Sequence, residues 1–130
     1  MSAEAVPATG PVDGRTARRD RNRDAVLDAV IELFTEGEVA YCTRRRVPAI
    51  HLAARFASKE AAMKALGTGH SLGVFWRGIE VVRRSGPPRI RFHHGAADRF
   101  ASIGATGSFL TMTHSRDMAI AHVLLVRGPA

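Results

Sequence analysis

The sequence predicts an all-α fold whose pattern fades toward the C-terminus, and three observations carry that prediction. A helical apolar period runs through residues 20–36, an alanine-rich stretch opened by Pro48 continues to Leu66, and residues 89–116 keep no sustained period of 2 or 3.6. With 130 residues and 45% apolar side chains, the chain can bury one modest core.

The elements follow in order. Residues 1–19 hold Pro7, Gly10, Pro11, Gly14 and then Arg15, Arg18 and Arg19, which predicts a flexible basic arm. From Asp20 to Glu36, Val26, Val30, Leu33 and Phe34 share one helical face, widened by Leu27 and Ile31. Asp20, Asp24, Asp28, Glu32 and Glu36 recur every four residues on the other side, so one face is expected in the core and one in water. Asp20 or Asn22 suits the N-cap, and Gly37 suits a left-handed stop.

Beyond Gly37, the loop Thr43-Arg44-Arg45-Arg46 leads to Pro48 at a first helical position. Ile50, Leu52, Ala53 and Phe56 predict one short helix, and Ser58 caps a second that ends at Gly67. Leu72, Phe75, Trp76, Ile79 and Val82 space as a further amphipathic helix, weakened by Gly73 and Gly78 and closed by Gly86-Pro87-Pro88. Residues 85–130 carry no assignment and read as a disordered or non-native remnant, although Met118–Val126 is apolar enough to be buried as a strand or short helix.

Charge divides the chain. Residues 1–37 carry a net −2 and residues 38–130 a net +9, and 17 of the 19 basic residues are arginine. Guanidinium forks suit phosphate oxygens, whereas a GC-rich reading frame gives the same bias. No run approaches the roughly 18 apolar residues of a membrane span, and no secretory signal is recognisable, so a cytoplasmic location is expected with no membrane partner. The single Cys42 excludes an internal disulfide, and the six histidines show no HExxH or spaced Cys/His set, so neither metal nor cofactor is expected.

Basic residues followed by Val26-Leu27-Asp28-Ala29, then Glu32-Leu33-Phe34-Thr35-Glu36-Gly37, resemble the first helix of the TetR family of transcriptional regulators. That resemblance implies a helix-turn-helix DNA-binding region over residues 20–84, repressor-like and without catalysis, acting as a homodimer on double-stranded DNA. It implies Ser58, Lys59, Met63 and Lys64 on the groove-facing surface, with Arg44, Arg45 and Arg46 on backbone phosphates. The effector ligand is not legible. A family member carries a larger second helical domain, so the chain reads as truncated or frame-shifted after about Gly37. The competing reading is a fragment of an α/β-hydrolase, in which Gly69-His70-Ser71-Leu72-Gly73 forms the nucleophile elbow, with Asp98 and His114 or His122 completing the triad.

Overall fold

The computed structural model describes residues 13–128, so most of the expected arm, residues 1–12, lies outside the described residues. Helix α1 (Gly14–Leu33) is capped by Asp13, whose carboxylate accepts from the Arg15 amide. It begins six residues before the expected start and has no buried residue; Val26 and Ile31 are each 63% exposed. A helix forms where its period predicts, but only the end of its apolar stripe is covered: Val30 and Leu33 are half-buried and Phe34 just beyond is buried, while Val26, Leu27 and Ile31 face water.

Gly37 does not stop that helix. Thr35 starts helix α2 (Glu36–Thr43) with a capping box, its hydroxyl accepting from the Glu38 amide while Glu38 Oε1 accepts from the Thr35 amide. Helix α3 (Pro48–Leu66) runs unbroken where two short helices are expected. Ser58 is buried in its interior and donates to the Ala54 carbonyl one turn back, so it satisfies itself within the helix instead of capping a new one. Gly67, at φ +75°, ends α3 in the left-handed conformation that the sequence requires there.

The all-α expectation fails after Gly67. The expected helix over residues 72–84 is a loop, a 3₁₀ turn (Trp76–Gly78) and strand β1 (Ile79–Val82), which pairs antiparallel with β2 (Arg89–Phe92). Helix α4 (His94–Ser102) follows, and β3 (Gly107–His114) and β4 (Ala119–Val126) form an eight-residue antiparallel hairpin. The fold is therefore mixed α/β, with two small antiparallel sheets. Residues 89–126 are regular structure, not a remnant.

Helix α3 packs across both sheets. Ala62, Met63 and Leu66 meet Val74, Ile79, Val81, Ala96, Leu110 and Val123 in one core, with Phe92 stacked on Phe100 at its edge. The first turn of α4 meets the loop after α3 tightly beside it: a Cβ on Gly95 would stand 1.9 Å from the Gly73 carbonyl oxygen, so only glycine fits. No helix among the described residues is long and apolar enough to cross a membrane.

Candidate functional site

Helix α3 organises the polar interior as well as the core. Lys59 is fully buried and donates to Glu38 Oε1 at 2.7 Å, to the Trp76 carbonyl at 2.9 Å and to the Ile79 carbonyl. Glu38 also accepts from the Val81 amide at 3.1 Å. Burial lowers the ammonium pKa against the opposing pull of Glu38. All five groups are satisfied within the network, which is the condition for a buried ion pair to persist. This network fastens α2, α3 and β1 and leaves the ammonium no donor for a ligand.

Arg55, one turn earlier on α3, is different. It is 2% exposed, and its Nε has no hydrogen-bond partner. Its guanidinium carbon lies 4.1 Å from the centroid of the Tyr41 ring, and that of Arg45 lies 4.3 Å from the same ring. Among the described residues the ion pairs are Arg15–Asp13, Lys59–Glu38 and His93–Glu80, so neither guanidinium has a counter-charge. Arg55 opens into a groove that it shares with Tyr41, Glu80, Arg83 and Arg84. Glu80 is the carboxylate of that lining, and both its oxygens are engaged, Oε2 by the Thr35 hydroxyl at 2.7 Å and Oε1 by His93 Nε2 at 3.1 Å.

Two histidines join this cationic cluster. The rings of His51, in the first turn of α3, and His114, at the end of β3, meet edge to face at 5.2 Å. Burial first, then His114 and the nearby Arg45, Arg55 and Arg83, hold the His51 pKa below its ordinary value. A buried charge without a partner is costly, and a cluster of this kind can receive an anion. Phosphate oxygens fit several guanidinium forks at once.

On the outward face of α3, Phe56, Glu60 and Lys64 are spaced one turn apart. Phe56 stacks on Trp76 at 5.2 Å, and Trp76 stacks on His70 at 5.5 Å. Ile31, Phe75, Trp76 and Arg77 line an apolar groove with Asp28 and Glu32 of α1. Glu60 is half-buried and forms no ion pair among the described residues, and Lys64 is exposed. No three His, Cys, Asp or Glu side chains of the described residues converge as a metal site.

The residues expected to contact DNA scatter across these environments. Arg44, Arg45 and Arg46 are exposed at the end of α2 and in the loop that follows. Ser58, Lys59 and Met63 are buried and present nothing to a groove, because α3 turns that face to the sheets; Lys64 alone of the four reaches solvent. Ser71, the expected nucleophile, sits in an exposed loop after a helix, with its hydroxyl donating to the Thr68 carbonyl. A nucleophile elbow needs a strand before the serine, and none is there. Sequence reasoning missed Tyr41, His51, Arg55 and Arg83. The available signal was Arg55 itself, a charge on the face of α3 that also carries Ala62 and Leu66.

Residues 13–121 match the family model of the 4'-phosphopantetheinyl transferase superfamily. A holo-[acyl-carrier-protein] synthase of Solibacter usitatus is 43% identical over 123 residues, covering 92% of this chain and 98% of that one. The crystal structure of the corresponding synthase from Neisseria meningitidis superposes with a TM-score of 0.73 at 26% identity, over 85% of this chain and 90% of the other. That from Bacillus anthracis, in complex with CoA (3',5'-ADP), superposes with a TM-score of 0.65 at 26% identity, over 84% and 89%. These matches overturn the TetR resemblance, the transcriptional role, double-stranded DNA as partner and the absence of catalysis, and they leave the hydrolase reading without support. They also overturn the frame-shift reading, since the matched residues extend 84 positions beyond Gly37. The chain belongs to the 4'-phosphopantetheinyl transferase superfamily.

Proposed function

We propose that this chain transfers the 4'-phosphopantetheinyl group of coenzyme A to a hydroxyl of an acyl carrier protein. Within this superfamily, the observation that carries the reading is the buried Arg55, a cation without a counter-charge among the described residues, at the base of an arginine-lined groove. Coenzyme A brings the missing charge on its pyrophosphate and its 3'-phosphate. The hydroxyl oxygen attacks the phosphorus that bears pantetheine, the bond from that phosphorus to the bridging oxygen breaks, and 3',5'-ADP leaves with the electron pair. The hydroxyl proton must go to a base.

In this reading Arg45, Arg55 and Arg83 neutralise phosphate oxygens, which lowers the barrier by meeting charge where it develops. Arg45, expected on nucleic-acid backbone phosphates, serves the phosphates of coenzyme A. Glu60, unpaired and half-buried one turn from Lys64, takes the hydroxyl proton on its carboxylate. The one cysteine, buried and unpaired, suits a reducing cytoplasm.

The test incubates the protein with coenzyme A and an apo acyl carrier protein, following the carrier by intact-mass spectrometry and 3',5'-ADP by chromatography. The expected result is a gain of one phosphopantetheinyl group per carrier with an equal release of 3',5'-ADP. Nucleotide release without carrier modification, or neither, overturns the proposal.

A further inference from the structure

Glu80 stands between two grooves. One is the arginine-lined groove of the proposed phosphate site; the other is lined by Thr35, Phe75, Arg77, Glu80, His93 and His94. Its carboxylate bridges them through a chain of hydrogen bonds: His93 Nε2 to Glu80 Oε1, Thr35 Oγ1 to Glu80 Oε2, and the Glu38 amide to Thr35 Oγ1 at 3.2 Å. Thr35 therefore both caps α2 and pins its N-terminus to β1. The far end of α2 carries Tyr41, on which Arg45 and Arg55 stack, and leads directly to Arg45.

We propose that His93 and Glu80 are positioning residues for the phosphate site, acting through Thr35 to fix the direction of α2 and so the placement of Tyr41 and its two guanidinium groups. The inference rests on the proposed coenzyme A reaction. From Thr35 to Tyr41 the helix rises about 9 Å, so a tilt of about 6° at the cap moves the tyrosine by roughly 1 Å, enough to degrade a charge-matched site. The carboxylate has the charge to hold this post. Burial raises its pKa, but the hydrogen bonds from Thr35 and His93 outweigh that and keep it low. Arg91, its partner across the β1–β2 ladder, and Lys59 on α3 add to the same positive surroundings.

Four substitutions separate positioning from mere folding. Thr35→Asp keeps an N-cap acceptor but loses the hydroxyl donor and sets a second carboxylate against Glu80. Thr35→Ser keeps both functions. His93→Leu removes the donor to Glu80, and His93→Gln returns an amide N–H near the Nε2 position. The expected result is a five- to tenfold rise in the KM for coenzyme A in Thr35→Asp and His93→Leu, with kcat within twofold and near-normal values in Thr35→Ser and His93→Gln. Isothermal titration with coenzyme A alone should show the same order. Unchanged KM and affinity in folded Thr35→Asp and His93→Leu overturn the inference, as does a loss of melting temperature that tracks equal losses of kcat in all four variants. If the unsubstituted protein transfers nothing and binds no coenzyme A, the underlying reading fails instead, and the inference falls with it.

Discussion

Replacing Arg55 by methionine should weaken coenzyme A binding while leaving the fold nearly as stable as before. The guanidinium is 2% exposed, its Nε has no partner and no carboxylate of the described residues is in ion-pair range, while the ring of Tyr41 lies at 4.1 Å. Hydrogen bonds between a buried guanidinium and a phosphate contribute about 1.5–3 kcal/mol, which corresponds to a rise in Kd of roughly 10- to 150-fold. In the unliganded protein the same substitution removes a cation–π contact of about 2 kcal/mol, but it also removes a desolvated charge, a change that is often neutral or stabilising by about 1–4 kcal/mol. The two nearly cancel. Titration calorimetry with coenzyme A, paired with thermal melts of the free protein, reads both quantities. A variant destabilised by about 3–5 kcal/mol that binds coenzyme A normally would show that Arg55 serves the fold and not a ligand.

Glu60→Gln should lower kcat about 100-fold or more with little change in coenzyme A affinity, as expected when a base is removed but no charge contact with the nucleotide is lost; rapid-quench transfer assays would show it. Lys59→Met strands the buried Glu38 carboxylate and should cost about 3–5 kcal/mol in denaturant melts, most of it recovered in the double variant with Glu38→Gln. Gly95→Ala drives a methyl group into the Gly73 carbonyl and should destabilise by about 3 kcal/mol or more, read as a lower urea midpoint with an unchanged slope. Burial and the neighbouring His114 and arginines depress the His51 pKa, so the unfolded chain takes the proton more readily. The stability His51 contributes is full above its unfolded value near 6.5 and is lost as pH falls below it, and His51→Gln should flatten that acid limb of the melting profile.

The two ends of helix α3 were legible because their signals are local, Pro48 at the first turn and Gly67 at the last, but Ser58 read as a cap split in two a helix that runs unbroken. Helix α1 was legible as a helix but not as an exposed one, since a periodic stripe shows which side is apolar and not whether anything packs against it. Residues 72–82 misled for the opposite reason. Leu72, Phe75, Trp76, Ile79 and Val82 happen to fall at helical spacing, yet Gly73 and Gly78 break the run, and a strand of four residues is too short for its own alternation to be heard. The site was hidden by topology. His51, Arg55, Arg83 and His114 come from α3, the β1–β2 connection and β3, and only the packing of α3 on both sheets brings them together. The arginine excess after Gly37 was read toward a duplex, whereas the family match points to a transferase.

The exposure of α1 sets a separate clock for the first part of the described chain. A helix that contributes no side chain to the core draws little free energy from it, and a free helix of 20 residues is marginal in water and relaxes within about a microsecond. Its amides should therefore exchange with solvent far sooner than those of α3, and the cooperative folding unit begins at Phe34, the first buried side chain. Substitutions at Val26 or Leu27 then leave the melting transition where it is, so sequence drift at those two positions answers only to whatever meets the outer surface of the helix.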